Sequence, residues 1–275
     1  MNIVVVSCVF PPEPIVSSQT SHQIVEALVK NGHHVKAIVP FPSRPAGKIY
    51  DGYTQKLFGS SCSLDGYDLV RCWSTVSSKS TIGSRFKENF SFGLSSAIVL
   101  LISPKPDAIY SNTWPIFATG LVALIAKLRD IPLVISVQDL YPESLVIQNR
   151  IQKDGWIAQI LRLIDKLIAQ STTHVIVISE EFAKIYLKDR SVIPSKVSII
   201  PNWLKAPSTN KTLEANYRSH YSIPNDDFVI VYGGNIGVAA GVETLVDSFT
   251  YLKHNSAASK LWLIVAGSGS NLAIS

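Results

Sequence analysis

The sequence has few cysteines and few charges, and it lacks an apolar run long enough to cross a bilayer. Its three cysteines, Cys8, Cys62 and Cys72, are scattered, which argues against a disulfide scaffold or a cysteine metal site. The longest apolar stretches, 92–103 and 114–126, are shorter than the ~20 residues of a membrane-spanning helix. No basic segment precedes the first apolar run, so we expect a cytoplasmic protein.

The sequence also lacks the short motifs of several enzyme classes. It has no G-x-G-x-x-G or Walker loop, and no Ser, His and carboxylate set in a nucleophile-elbow context. None of its six histidines pairs with a carboxylate at ligand spacing, so we expect no metal and no cofactor. The net charge of +5 favours anionic partners. Because no block of lysine and arginine with interleaved aromatics is present, we expect no binding to nucleic acid.

Short β-branched runs alternate with helical patterns, which predicts an α/β fold with a parallel sheet. The strands are predicted at "IVVVSCV", "HVKAIVP", "YDLVRCW", "DAIYSN", "PLVISVQ", "HVIVIS" and "KVSIIPNW". Helices are predicted over 18–31, 86–102, 115–127 and 155–170, and 41–66 is predicted as a loop. Gly32 is expected to end the first helix, and Ser179 to cap a helix that starts after it.

The stretch 204–216 has the composition of a linker, so we predict a boundary between two domains there. The first covers 1–203, a linker covers 204–224, and the second domain covers 225–275. The second domain reads as one βαβ unit, with strands at "FVIVYGG" and "LWLIVAGSG" around a helix over 242–252. Because a two-stranded parallel sheet leaves its faces and edges uncovered, we expect this domain to be truncated, or completed by another chain.

Two loops at the predicted carboxyl edge of the sheet carry polar side chains. This edge is where open α/β sheets bind ligands. The loop "SVQDLYPES" supplies Gln138, Asp139, Tyr141, Glu143 and Ser144. A structural alternative stays open, in which Asp139 caps a helix whose first turn holds Pro142 and Glu143. The loop "FPPEP" adds Glu13 at the same edge, or it is a rigid connection set by its prolines.

The stretch "GGNIGVAAGVETL" places glycines 233, 234, 237 and 241 between a strand and a helix. Backbone amides at such a turn bind phosphate readily, but a purely structural turn explains the glycines as well. Segment 77–101 combines Lys79, Arg85 and Lys87 with Phe86, Phe90, Phe92 and Leu94. It is predicted either as a core helix or as a helix that rests on an anionic membrane.

In their order and spacing, "FPPEP", "NGHHV", "VQDLYPES", "VISEEF", "IIPNW" and "GGNIGVAAGVETLV" resemble the family 4 glycosyltransferases. The bacterial members that build capsule, O-antigen or colanic-acid type polysaccharides are the most similar. The resemblance runs from Met1 to about Gly269, and "DLYPES" and "GGNIG" with "GVETL" are its more specific motifs.

The resemblance implies a GT-B fold of two Rossmann-like domains, with an acceptor-side first domain and a nucleotide-sugar-binding second domain. It also implies sugar transfer with retention of configuration and without a required metal ion. The predicted catalytic residues are Gln138, Asp139 and Glu143. The predicted donor-binding residues are Val16, Ser17, Gly233, Gly234 and Asn235. The predicted acceptor-side residues are Glu13, Tyr141 and Ser144.

Three hypotheses follow from the sequence. The first is a retaining glycosyltransferase of polysaccharide or glycolipid biosynthesis, inactive or dependent on a partner chain if its donor domain is truncated. It would use a nucleotide-sugar and a lipid-linked acceptor at the inner face of the plasma membrane. The second is a non-catalytic subunit that binds the acceptor or the membrane beside a separate donor-domain chain. The third is a GT-B epimerase, which "DLYPES" disfavours.

Overall fold

A computed structural model describes residues 1–62, 66–79, 81–112, 116–203, 217–236, 240–255 and 260–269. The chain divides into two compact units, Met1–Leu204 and Lys205–Ser275. The predicted linker core, 204–216, lies outside the described residues. No helix in the described ranges is both long and apolar enough to cross a membrane.

The first unit is a twisted α/β sheet with helices on both faces. Its strands are β1 (Asn2–Val6), β2 (His34–Pro40), β3 (Phe58–Cys62), β4 (Asp68–Cys72), β5 (Ala108–Asn112), β6 (Leu133–Val137), β7 (His174–Val177) and β8 (Val197–Ile199). Its helices are α1 (Val16–Lys30), α2 (Ile82–Ile102), α3 (Ile116–Leu128), α4 (Glu143–Ile147), α5 (Trp156–Ser171) and α6 (Glu180–Lys188). A single 3₁₀ turn, Pro194–Lys196, precedes β8.

The strand order is β3-β4-β2-β1-β5-β6-β7-β8, and every neighbouring pair except β3 and β4 is parallel. The parallel sheet predicted from the sequence is therefore confirmed. The prediction that 41–66 is a loop is wrong in part, because β3 pairs antiparallel with β4 at the sheet edge. Its sequence, "FGSSC", has little of the β-branched pattern that marks strands, so pairing with β4 determines its structure.

Side-chain alternation along β1 builds two apolar cores. Ile3 and Val5 pack on one side of the sheet with Val25 of α1. Val4 and Val6 face the other side, where the larger core contains residues of α2, α3, α5 and α6. Helix α3 packs against both α2 and α5, so these three helices form one layer on that side. The carboxyl ends of the parallel strands meet at one edge of the sheet.

Local sequence signals explain where several helices begin and end. Gly32 has a φ of +80°, so it stops α1 in the left-handed conformation that glycine adopts readily. Ser179 caps α6 by accepting a hydrogen bond from the Phe182 amide, as predicted. Helix α2 begins four residues earlier than predicted, because Thr81 and Ser84 form a capping box.

The second unit contains a short helix α7 (Tyr217–His220), strand β9 (Phe228–Asn235), helix α8 (Val242–Asn255) and strand β10 (Leu261–Ser268). Strands β9 and β10 pair in parallel over eight residues each, so the predicted βαβ unit is confirmed. The two strands approach closely at Gly267, where an added Cβ would overlap the carbonyl oxygen of Gly234.

Candidate functional site

Polar side chains from three strand ends meet at the carboxyl edge of the first unit. Ser7 follows β1, Asn112 ends β5, and Gln138 follows β6. The Ser7 and Ser21 hydroxyl oxygens lie 2.8 Å apart, and Asn112 Nδ2 donates to Ser21 Oγ at 3.1 Å. Because Ser21 belongs to α1, these bonds fix the start of α1 against the ends of β1 and β5.

The amino end of α1 opens on a cleft of about 520 Å³, which we call the α1 cleft. The cleft is lined by Val16, Ser17, Thr20, Asn112, Gln138, Asn202 and Trp203. The first turn of α1 has no acidic residue and no side-chain cap. Its first amides precede the helical hydrogen bonds and lie at the positive end of the helix dipole, so the cleft suits an anionic group.

A larger groove of about 880 Å³ lies on the layer formed by α2, α3 and α5, and we call it the α2–α5 groove. Much of its lining is apolar and comes from these helices: Ile82, Phe86, Phe117, Trp156, Ile157 and Ile160. Its polar lining includes the predicted site residues Asp139, Tyr141 and Ser144, and also Arg44 and Arg85. With Arg150, which also lines it, the groove combines an apolar wall with a carboxylate and three guanidinium groups.

The adjacent residues Gln138 and Asp139 line different cavities. Gln138 lines the α1 cleft, and its Nε2 donates to Ser136 Oγ at 3.0 Å. Asp139 lines the α2–α5 groove, and its Oδ1 accepts from the Leu140 amide at 3.1 Å. Burial raises the pKa of Asp139 because it disfavours the charged form, and the Leu140 amide opposes that rise. Asp139 is thus a half-buried carboxylate with a raised proton affinity.

Glu143 lines neither of these two cavities. Its carboxylate accepts from Arg190 at 2.8 Å and lies 3.5 Å from Arg162 Nε. It is the first residue of α4, whose N-cap is Pro142, so Asp139 does not cap this helix as the structural alternative proposed. The three predicted catalytic residues therefore occupy three separate surroundings.

Arg190 is the centre of a buried network that the sequence did not reveal. Its side chain is 1% exposed, and it donates to Asp165 Oδ2 at 2.7 Å and to the Tyr141 carbonyl oxygen at 2.7 Å. Tyr186 donates its hydroxyl to Asp165 Oδ1 at 3.0 Å. A possible sequence signal was Asp165 itself, a charge among the core-facing positions of α5. The network ties the loop of Asp139 and Tyr141 to α5 and to the residues after α6.

Glu13 has a structural set of contacts within the first loop. Glu13 is 2% exposed, and its carboxylate accepts from the amides of Phe10 at 3.3 Å, Ser43 at 2.9 Å and Arg44 at 2.9 Å. Arg44 in turn pairs with the buried Glu88 of α2 at 3.3 Å. The predicted acceptor-side residue thus joins the loops after β1 and β2, and Arg44 connects them to the α2–α5 groove.

The predicted donor-binding residues of the second unit are Gly233, Gly234 and Asn235. All three belong to β9 and pair with Ala266, Gly267 and Ser268 of β10, so they are not in the turn that follows the strand. That turn contains Gly241, which has a φ of +62° just before α8. Residues 237–239 of the glycine-rich stretch lie outside the described residues.

Comparison with known proteins assigns the chain to a family. Residues 17–203 match the family model of the glycosyl transferase 4-like domain. The chain is 24% identical over 261 residues to WcaI of Escherichia coli (strain K12), named as a colanic acid biosynthesis glycosyl transferase. It is 23% identical over 164 residues to WbjE of Pseudomonas aeruginosa, named as a glycosyltransferase. These matches cover 92% and 55% of this chain and 63% and 38% of the two relatives.

Solved structures show the same fold at low sequence identity. WaaG, a glycosyltransferase involved in lipopolysaccharide biosynthesis, superposes with a TM-score of 0.59 at 13% identity, over 100% of this chain and 65% of that chain. Anabaena HepE in complex with UDP superposes with a TM-score of 0.59 at 12% identity. That superposition covers 98% of this chain and 62% of HepE. The fold is therefore of the GT-B type. The chain belongs to the glycosyl transferase 4-like domain family, and its matches span between 38% and 65% of the lengths of the proteins named above.

Proposed function

We propose that the chain transfers a sugar from a nucleotide-sugar to an acceptor in surface-polysaccharide or glycolipid biosynthesis, with retention of configuration. Family membership and the similarity to WcaI support the reaction class. The structural observation that carries the proposal is the α1 cleft, where an uncapped helix end without acidic residues faces polar side chains from β5 and β6. HepE binds UDP, which supports a nucleoside diphosphate as the anion.

The α1 cleft is proposed to bind the donor diphosphate at the amides of Val16 and Ser17. Negative charge develops on this diphosphate as the bond to the sugar breaks, and a preorganised helix end stabilises such charge. Asn112 and Gln138 line the same cleft and are proposed to hydrogen-bond the donor. The proposal needs no metal ion, because backbone amides supply the positive potential. In the second unit, the predicted donor contacts remain Gly233, Gly234 and Asn235.

The α2–α5 groove is proposed to bind the acceptor, and the acceptor to be lipid-linked. Its apolar wall suits a hydrocarbon chain. Arg44 and Arg85 share the single carboxylate of Glu88, and with Arg150 they leave the groove a net positive lining that suits a phosphate next to that chain. Asp139 lines the groove and has a raised pKa, so it is proposed to receive the proton of the attacking hydroxyl. For Glu143, the ion pairs with Arg190 and Arg162 favour a positioning role over a catalytic one. A lipid-linked acceptor would place the reaction at the cytoplasmic face of the membrane.

The variant Ser17→Asp tests the diphosphate site. A carboxylate in the first turn stabilises the helix itself through its dipole, so we expect Ser17→Asp to fold. At about 5 Å in water, two negative charges on the ligand would weaken binding by about 1.7 kcal/mol, or more than tenfold. The measurement is calorimetric titration with UDP and with other nucleoside diphosphates.

Ala27→Asp is the matched control, because it adds the same charge to an exposed position near the other end of α1. We expect this control to bind nucleoside diphosphate as the unchanged protein does. Equal affinities of Ser17→Asp and the unchanged protein would contradict the placement of the diphosphate at α1.

A further inference from the structure

The outer surface of α2 lacks, over its last three turns, the polar residues that a surface helix usually exposes. From Phe90 to Ile102, every exposed residue is large and apolar: Phe90, Leu94, Ile98, Leu101 and Ile102. The buried residues of the same helix include the polar Asn89, Ser95 and Ser96. A surface helix of a globular protein normally buries its apolar stripe and exposes its polar one. The outer stripe of α2 is therefore suited to an apolar environment.

The apolar surface continues across the helix layer. Helix α3 adds the exposed Leu124 and Leu128, and it packs against both α2 and α5. Helix α5 adds Trp156, Ile157, Ile160, Leu163 and Leu167, all more than 40% exposed. We call the outward side of α2, α3 and α5 the three-helix face. An exposed apolar surface built from three adjacent helices is larger than scattered surface apolar residues account for.

The charged side chains that α2, α3 and α5 present to solvent are basic, and the acidic ones are buried. All their residues are described, and they include five basic side chains: Arg85, Lys87, Lys127, Arg162 and Lys166. Their two acids, Glu88 and Asp165, are both buried and both ion-paired to arginine. Arg85 is paired with Glu88 and Arg162 with Glu143, so Lys87, Lys127 and Lys166 supply the outward positive charge of the three-helix face.

Helices α1 and α6 do not share this character. Helix α6 exposes Glu180 and Glu181, and α1 carries Glu26. Within these two helices, the only exposed large apolar residue is Val16, which lines the α1 cleft. The combination of exposed large apolar and basic side chains is thus a feature of α2, α3 and α5 that α1 and α6 do not share.

We propose that the three-helix face binds the surface of an anionic lipid bilayer. The apolar side chains of α2 and α5 enter the boundary between headgroups and acyl chains, and Lys87 and Lys127 lie at the lipid phosphates. A second copy of the chain fits the face less well, because a symmetric contact would bring the same cations together. This binding does not depend on sugar transfer, and it would place the mouth of the α2–α5 groove beside the lipid.

The test is flotation of the full chain with vesicles of phosphatidylcholine, with or without phosphatidylglycerol. We expect binding to the anionic vesicles that weakens with added salt, and little binding to phosphatidylcholine alone. The double variant Leu94→Glu, Ile98→Glu should lose at least tenfold in partitioning. Lys87→Glu should lose more than about fivefold, the effect of one cation near an anionic surface.

Each variant has a control on the other side of the sheet. Gln19→Glu, Ala27→Glu adds the same charge to exposed positions of α1, and Lys30→Glu matches Lys87→Glu. These controls should bind as the unchanged chain does, and circular dichroism must show that all variants fold. Equal losses in the α1 controls would refute the proposal, because the effect would then come from net charge.

A second readout does not rely on variants of α2. Trp156 is 72% exposed on α5, so its fluorescence should be quenched by brominated acyl chains. Trp156→Phe should remove that quenching. Absence of anionic vesicle binding, absence of quenching, or self-association that Leu94→Glu, Ile98→Glu abolishes without vesicle binding would each overturn the proposal.

Discussion

Replacing Arg190 by methionine tests the buried network that holds the Asp139 loop. Arg190 is 1% exposed and donates to Asp165, Glu143 and the Tyr141 carbonyl oxygen. Methionine keeps much of the apolar volume but leaves the buried Asp165 carboxylate without its cation. Breaking a buried ion pair from one side costs about 3–5 kcal/mol, because an uncompensated charge stays in the interior. We expect a loss of this size in the free energy of unfolding.

The loss should depend on pH in a defined direction. Burial raises the pKa of Asp165 above its ordinary value, and Arg190 opposes that rise. Without Arg190 the pKa of Asp165 rises further, so the folded protein binds a proton more tightly than the unfolded chain does. Stability of Arg190→Met therefore falls as pH rises from the ordinary aspartate pKa through the raised one. The difference in the free energy of unfolding between the variant and the unchanged protein should be smaller at pH 5 than at pH 8.

Urea unfolding followed by circular dichroism measures the loss in the free energy of unfolding and, when repeated at several pH values, its pH dependence. Lys184→Met is the control, because it breaks an exposed ion pair with Glu181, and exposed pairs contribute little to stability. In an Asp165→Asn background, Arg190→Met should cost less than it does alone, since no charge is left unpaired. A cost of Arg190→Met no larger than that of Lys184→Met would refute the reasoning.

Three further predictions concern single positions. Gly93→Ala should destabilise the first unit by about 1–3 kcal/mol, because its Cβ would lie 2.7 Å from the α3 backbone. Gly83→Ala is the control: an added Cβ there meets open space, so the variant should be stabilised by about 0.5–1 kcal/mol. Thermal unfolding measures both changes. Gly267→Ala should disrupt the β9–β10 pair and lower hydrogen-exchange protection there, whereas Gly233→Ala should leave it intact. The acid limb of kcat/KM should lie above the ordinary aspartate pKa of about 4, because Asp139 is active when ionised and burial raises its pKa. Asp139→Asn should remove that limb together with most of the activity.

Local sequence patterns predicted most elements of the fold. Strands such as "IVVVSCV" and "PLVISVQ" are β-branched runs buried on both faces, and helix ends at Gly32 and Ser179 follow from backbone and capping chemistry. Strand β3 was missed because an edge strand is fixed by its partner and not by its own composition.

The candidate site was only partly predictable. The sequence placed Gln138, Asp139 and Glu143 in one loop. In the fold, the first lines the α1 cleft, the second lines the α2–α5 groove and the third pairs with arginine, and only tertiary contacts determine this division. Arg190 lies 47 residues from Glu143 along the chain, so no local pattern links the pair. Helical periodicity likewise shows an apolar stripe on α2 but not whether that stripe faces the core.

We propose that the chain moves a sugar from a nucleotide-sugar to a lipid-linked acceptor. The most direct measurement follows radiolabelled sugar from a panel of nucleotide-sugars into the organic phase of a bacterial lipid extract incubated with the full chain. The account predicts label in that phase with one donor, retained anomeric configuration in the product, and loss of transfer in Asp139→Asn. Release of nucleoside diphosphate without a labelled lipid, or equal transfer by Asp139→Asn, would contradict it.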